Sequence, residues 1–119
     1  LLFIINCDMN SVTGEENVNE LNIDLVITEK NYFYNKLQVN GIATNNSGST
    51  IFPTWYIEGQ FYRINEDNNL FLIDGDKISI NNSLNDGVSY EFTLEIDGEW
   101  DNILNEEQFS VLDLRAFKY

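Results

Sequence analysis

The sequence predicts an all-β domain, an antiparallel sandwich of about seven strands. Three observations point there. Between residues 36 and 96 apolar side chains recur at every second position in three runs, the period of half-buried strands and not of helices. Clusters of Asn, Asp, Ser and Gly punctuate those runs as turns do. A length of 119 residues suits one domain with one core, large enough to bury about two-thirds of the unfolded surface without disulfides or a metal. Hydrophobic residues make up 43% and aromatics 13%, so the chain can collapse in spite of a formal charge of −14.

The first seven residues, Leu1-Leu2-Phe3-Ile4-Ile5-Asn6-Cys7, form an apolar run that stops at the single cysteine, and polar residues follow at once. This resembles the end of a secretion signal running into a bacterial lipobox, with Cys7 as the lipidated residue. Asn6 stands where a lipobox has Gly, Ala or Ser. The competing reading is an edge strand in which Cys7 is a small buried hydrophobe. Residues 8–20 carry neither strand nor helix period and read as a tether. The domain is read as residues 21–119.

Leu21, Ile23, Leu25 and Ile27 alternate with polar positions as a first strand, and residues 29–35 read as a turn, with Tyr32, Phe33 and Tyr34 as a lid over one end of the sandwich. Leu37, Val39, Gly41 and Ala43 give a second inward face, where Gly41 marks a close approach by a backbone or an aromatic ring. Asn45 to Ser49 then reads as a hairpin turn. Pro53 precedes the third run, where Trp55, Ile57, Gly59 and Phe61 face inward and Tyr56, Glu58, Gln60 and Tyr62 outward, with Trp55 at mid-sandwich.

A polar turn at residues 65–69 leads to a short strand over 70–73, and Asp74-Gly75-Asp76 reads as a second reversal. Ile78 and Ile80 follow, then a loop over 81–87. Val88, Tyr90, Phe92, Leu94 and Ile96 alternate with polar residues as the clearest strand of the chain. Residues 97–99 turn, 100–108 are polar around Ile103 and Leu104, and 109–119 close the sandwich as a strand. Phe109, Val111, Phe117 and Tyr119 share one parity in that strand while Leu112, Leu114 and Ala116 share the other, which suits burial on both faces or a bulge.

Twenty acidic residues against six basic ones make a surface that repels phosphate backbones, so nucleic acid is not an expected partner. The acidity reads as a solubilising face, with cation binding or a basic partner as the sharper alternatives. Without histidine the Ser-His-Asp and Cys-His pairings and imidazole zinc sites cannot be built. Asp97, Glu99 and Asp101 sit close enough to imitate a glycosidase pair, and those residues or Asp74 and Asp76 have the oxygen donors that calcium takes; no D-x-[DN]-x-[DN]-G loop is present. No catalytic residue, metal ligand or cofactor is expected.

Val39-Asn40-Gly41-Ile42-Ala43-Thr44-Asn45-Asn46-Ser47 resembles the "V-x-G-x-V-x-N-x-S/T" strand and turn of the FxLYD-type family of bacterial immunoglobulin-like domains. Phe61-Tyr62 matches its aromatic-Tyr pair, residues 65–69 its "D-x-x-G" turn, and Leu84 to Phe92 its "L-x-P-G-x-S-x-x-F" segment. Arg63, Asn69 and Asp86 depart from the family's Asp, Gly and Pro. The resemblance spans about residues 21–119 and implies an extracytoplasmic, non-enzymatic, immunoglobulin-like sandwich, often on lipoproteins, with no catalytic or ligand residues to carry over.

Two functional readings follow. The first is a binding or spacer module at the cell envelope that meets another protein through an exposed sheet face, with Tyr56, Glu58, Gln60, Tyr62 and Trp100 as the candidate surface. The second is a carbohydrate-binding module in which Trp100, or Tyr32 and Tyr34, stack on sugar rings. The expected partner is a protein or glycan of the envelope, with membrane contact only through a lipid on Cys7.

Overall fold

The computed structural model describes residues 18–119; the lipidation expectation at Cys7 and the tether up to residue 17 lie outside them. Seven strands form: β1 (Asn19–Glu20), β2 (Ile23–Phe33), β3 (Lys36–Asn45), β4 (Trp55–Ile64), β5 (Leu70–Ile80), β6 (Ser89–Asp97) and β7 (Phe109–Lys118). They pair antiparallel in a four-stranded sheet of order β1-β7-β4-β5 and a three-stranded sheet of order β2-β3-β6. The molecule is the all-β sandwich that the alternation predicts.

Period-two alternation does the work of closing the two sheets. Leu37, Val39 and Ala43 of β3, Trp55, Ile57 and Phe61 of β4, Phe92, Leu94 and Ile96 of β6, and Phe109 and Val111 of β7 are all buried in one core. Phe61 stacks on Phe109 with ring centroids 6.1 Å apart, and Trp55 meets Tyr90 edge-on at 6.1 Å. The Trp55 indole N–H donates to the Asn82 carbonyl at 3.0 Å, so its one polar atom is satisfied. Each fully buried large side chain of this kind stabilises by about 1.5–3 kcal/mol before ordering entropy is subtracted.

Four departures from the sequence expectation share one cause, an irregularity that keeps a strand paired while changing which way its side chains point. Residues 29–33 are strand and not turn: the register of β2 on β3 shifts between Ile27 and Glu29, after which Lys30 and Tyr32 lie opposite the inward Val39 and Leu37. The turn is only Tyr34-Asn35, Tyr32 packs on the core, and Phe33 and Tyr34 are exposed, so the three rings do not form a lid. Asp74-Gly75-Asp76 does not reverse the chain either; β5 runs unbroken, with Ile73 as an extra residue where the pairing passes from Phe61 opposite Asp74 to Tyr62 opposite Leu72. Gly75 serves close approach, since a Cβ there would lie 2.6 Å from the Gln60 amide oxygen. Asp76 reaches across to the other sheet and accepts from the Glu95 N–H at 2.8 Å.

In β7 the register on β4 shifts between Glu58 and Gln60, with Asp113 at φ 58. Phe109 and Val111 therefore face the core together with Ala116, while Phe117 and Tyr119 turn to the outside instead of sharing their parity. Three further differences have other causes. The Asn45 to Ser49 segment is no hairpin, because it carries the chain from the three-stranded sheet to the four-stranded one. Val88 is not inward: it precedes β6 and is 46% exposed. Finally, β1 falls inside the segment read as a tether, with Asn19 opposite Lys118 and Glu20 opposite Phe117.

Gly41 is buried beneath the Phe92 ring. A Cβ there would collide with that ring and sit 2.6 Å from the backbone carbonyl oxygen of Val26, which cannot give way as a side-chain tip can. Gly41→Ala is expected to lower unfolding free energy by about 1–3 kcal/mol in chemical denaturation. Combining it with Phe92→Leu should recover part of that loss, a coupling between neighbours that an additive pair of effects would refute.

Candidate functional site

The two outer faces of the sandwich differ in chemistry. On the three-stranded sheet, Asn31 donates to Gln38 at 3.0 Å and Gln38 to Glu95 at 3.0 Å, while Asn40 donates to Glu29 at 3.0 Å and accepts from Thr93 at 2.7 Å. The Thr44 and Ser89 hydroxyls meet at 2.8 Å, and Lys36 pairs with Glu95 at 3.4 Å. The hydrogen bond from Gln38, with help from Lys36, holds the Glu95 carboxyl below its ordinary range. This face carries a polar ladder along its middle, with Val26, opposite Ile42, and Phe33, opposite Lys36, exposed on either side of it.

The four-stranded sheet instead gathers aromatic and aliphatic groups on its outer face. Tyr56, Glu58, Gln60 and Tyr62 of β4 all lie there, half-buried, as their alternation predicts. Tyr56 stacks on Phe117 at 5.4 Å and meets Tyr119 edge-on at 5.0 Å. The Lys77 ammonium stands 5.3 Å from the centre of the Tyr119 ring and donates to its hydroxyl at 2.7 Å. Glu58 is ion-paired with Arg115, whose guanidinium lies 4.7 Å from the Phe117 ring centre. Phe117 is wholly buried although it belongs to this outer cluster and not to the core between the sheets.

Toward the other end of the same face the side chains turn aliphatic. Leu72 lies opposite Tyr62, Leu70 opposite Ile64 and Leu112 opposite Gln60, and all three leucines are exposed. The Tyr62 hydroxyl donates to the Asp113 carboxylate at 2.8 Å. That hydrogen bond, then burial and the negative charge of Asp113, raise the Tyr62 pKa above its ordinary 10.0.

Trp100 is not part of this surface. It lies in the β6–β7 connection, at the end of the sandwich where the Gly98 N–H donates to the Asn35 carbonyl, and its half-buried ring packs on Gly98 and the core. Tyr32 packs on the core and Tyr34 is exposed, and among the described residues neither shares a ring contact with Trp100. Asp74 and Asp76 accept hydrogen bonds from the backbone N–H groups of Gly75 and Lys77. Among the described residues no three His, Cys, Asp or Glu side chains converge as a metal site would require.

Sequence reasoning found the β4 row and missed its partners Lys77, Leu72, Leu112, Arg115, Phe117 and Tyr119. The one signal was the mixed parity of 109–119, which admits a bulge without saying where it falls. No family model matches the chain, no curated protein matches it and no solved structure matches it.

Tyr62 gives this face a spectroscopic handle. With its folded-state pKa above the unfolded value, the Tyr62–Asp113 contact contributes fully to stability below the unfolded phenol value and is lost as pH rises through the raised one. Asp113→Asn, which keeps a residue tolerant of positive φ, is expected to bring the Tyr62 ionisation down toward 10.0 in an NMR titration. An unchanged titration would show that Asp113 does not hold this proton.

Proposed function

We propose that this chain is a non-catalytic binding or spacer module of the bacterial cell envelope, an FxLYD-type immunoglobulin-like domain held by a lipid on Cys7. It meets a protein partner through the outer face of its four-stranded sheet. The observation that carries the interaction reading is the contrast between the outer faces: on one a polar ladder separates the exposed Val26 and Phe33, and the other exposes Leu70, Leu72, Leu112 and Tyr119 around half-buried tyrosines. Apolar side chains concentrated on one face of a small, strongly charged domain mark contact surfaces.

Support for the family comes from the motif positions themselves. Gly41 admits the Phe92 ring, and Asn45 and Ser47 hydrogen-bond within the segment that joins the sheets. Support for the anchor is the apolar run ending at Cys7 ahead of polar residues 8–17. A protein is favoured over a glycan because Trp100, Tyr32 and Tyr34, the rings that sugar stacking would use, share no platform.

Two measurements on the chain made in a bacterial envelope test these parts separately. Mass spectrometry should find acylated Cys7 as the N-terminus; an N-terminus upstream of it without acyl mass would remove the anchor. A photo-crosslinking residue at Leu112 should capture envelope proteins while the same residue at Thr93, on the polar face, should not. Capture from Thr93 alone would assign contact to the wrong sheet.

A further inference from the structure

We propose that residues 70–72 of β5, on the near side of the bulge at Ile73, form a strand-addition site for an extended, basic segment of another protein. The inference rests on the interaction reading above and names where and what that partner is. β5 is the outer strand of its sheet and pairs only with β4 among the described residues, so its far edge presents backbone N–H and C=O groups.

The two halves of that edge are treated differently. Along the second half β5 lies beside β6, and the Asp76 carboxylate takes the Glu95 N–H of the facing sheet. A charge turned toward the neighbouring edge is a usual means of blocking unwanted pairing, and the bulge at Ile73 ends the regular ladder of the first half at Leu72. The first half has neither a proline nor a lysine. It carries instead Leu70, Phe71 and Leu72, consecutive and 48%, 45% and 62% exposed. Leu70 and Leu72 continue the apolar outer face, while Phe71 stands under the Arg63 guanidinium, 4.6 Å from its ring centre. An added strand would find a backbone ladder with apolar contacts for alternate side chains, the two requirements of strand addition.

Charge selects the occupant. Glu66 and Asp67 in the β4–β5 turn and Asp74 at the other end bracket the segment, three carboxylates against the Arg63 guanidinium over Phe71, and the chain as a whole carries −14. A second copy of this chain would bring the same charge to the same edge and be repelled; a segment alternating apolar and basic residues is attracted and oriented.

The probe is a short peptide of alternating lysine and valine, titrated into the folded domain and followed by amide NMR shifts and hydrogen exchange. Slowed exchange and shifts centred on residues 70–72 are expected. Affinity should fall by about tenfold in Leu70→Lys/Leu72→Lys, and be lost when alternate peptide amides are N-methylated. A melting curve of the double variant matching the parent's excludes unfolding as the reason, and Leu72→Ser serves in its place if it does not. Shifts scattered over the acidic surface, insensitivity to N-methylation, no binding, or self-association through residues 70–72 without peptide would each overturn the proposal. None of these would touch the wider interaction reading, which the Leu112 crosslinking measures independently.

Discussion

A chain that builds two sheets must repeatedly leave one for the other without stranding buried backbone groups, and at one end of this sandwich a single side chain resolves that problem. Asn45, the last residue of β3, is 0% exposed. Its amide nitrogen donates to the carbonyls of Ser49 and Leu84, both at 2.8 Å, and its side-chain oxygen accepts from the Ser47 N–H at 2.9 Å. Its backbone N–H goes to the Val88 carbonyl at 3.1 Å and its carbonyl receives the Gly87 N–H at 2.7 Å. The two segments so joined, 46–54 and 81–88, are both crossings between the sheets. Around Asn45 the joint continues as the Ile51–Leu84 bridge, the Gly48 N–H on Asp86 and the Thr50 hydroxyl on Asn85. A buried amide with every group satisfied fixes one arrangement, because each alternative leaves donors or acceptors unpaired in a dry place.

With the crossings fixed, the outer faces acquire their character from three local irregularities. The shift near Thr28 turns Tyr32 inward, the extra residue Ile73 keeps Leu72 beside Tyr62, and the bulge at Asp113 sends Phe117 and Tyr119 out to Tyr56. Each costs a ladder hydrogen bond at most and exchanges which face a run of side chains occupies. The aromatic cluster and the leucine strip on the four-stranded sheet are thus consequences of where pairing slips. The polar ladder on the other sheet joins β3 and β6, which pair without a slip, to Glu29 and Asn31, which the shift in β2 places on the outer face.

These slips also explain what was legible beforehand. β3, β4 and β6 obey strict alternation, so their inward residues, the burial of Trp55 and the tight fit at Gly41 could be read from the sequence. Strands β2, β5 and β7 contain one irregularity each, and there polar residues imitate a chain reversal or a single parity does not run the full length of the strand. Asn45 to Ser49 has the composition of a hairpin turn, but the same side chains that bind local backbone in a turn here bind the backbone of a second crossing 39 residues away. Of the candidate surface, the β4 row was legible and its partners across β5 and β7 were not, since cross-strand neighbours depend on register. Trp100 stands among polar residues in sequence, yet Gly98 leaves its ring room to fold back onto the core.

The most direct test of this account is the unfolding free energy of Asn45→Ala. Removing the amide leaves the Ser49 and Leu84 carbonyls and the Ser47 N–H without their partner, so the expected loss is about 3 kcal/mol or more, with reduced amide protection in both crossing segments. A loss below about 1 kcal/mol, or disturbance confined to residues 46–49, would mean that the sheets are held together without this joint.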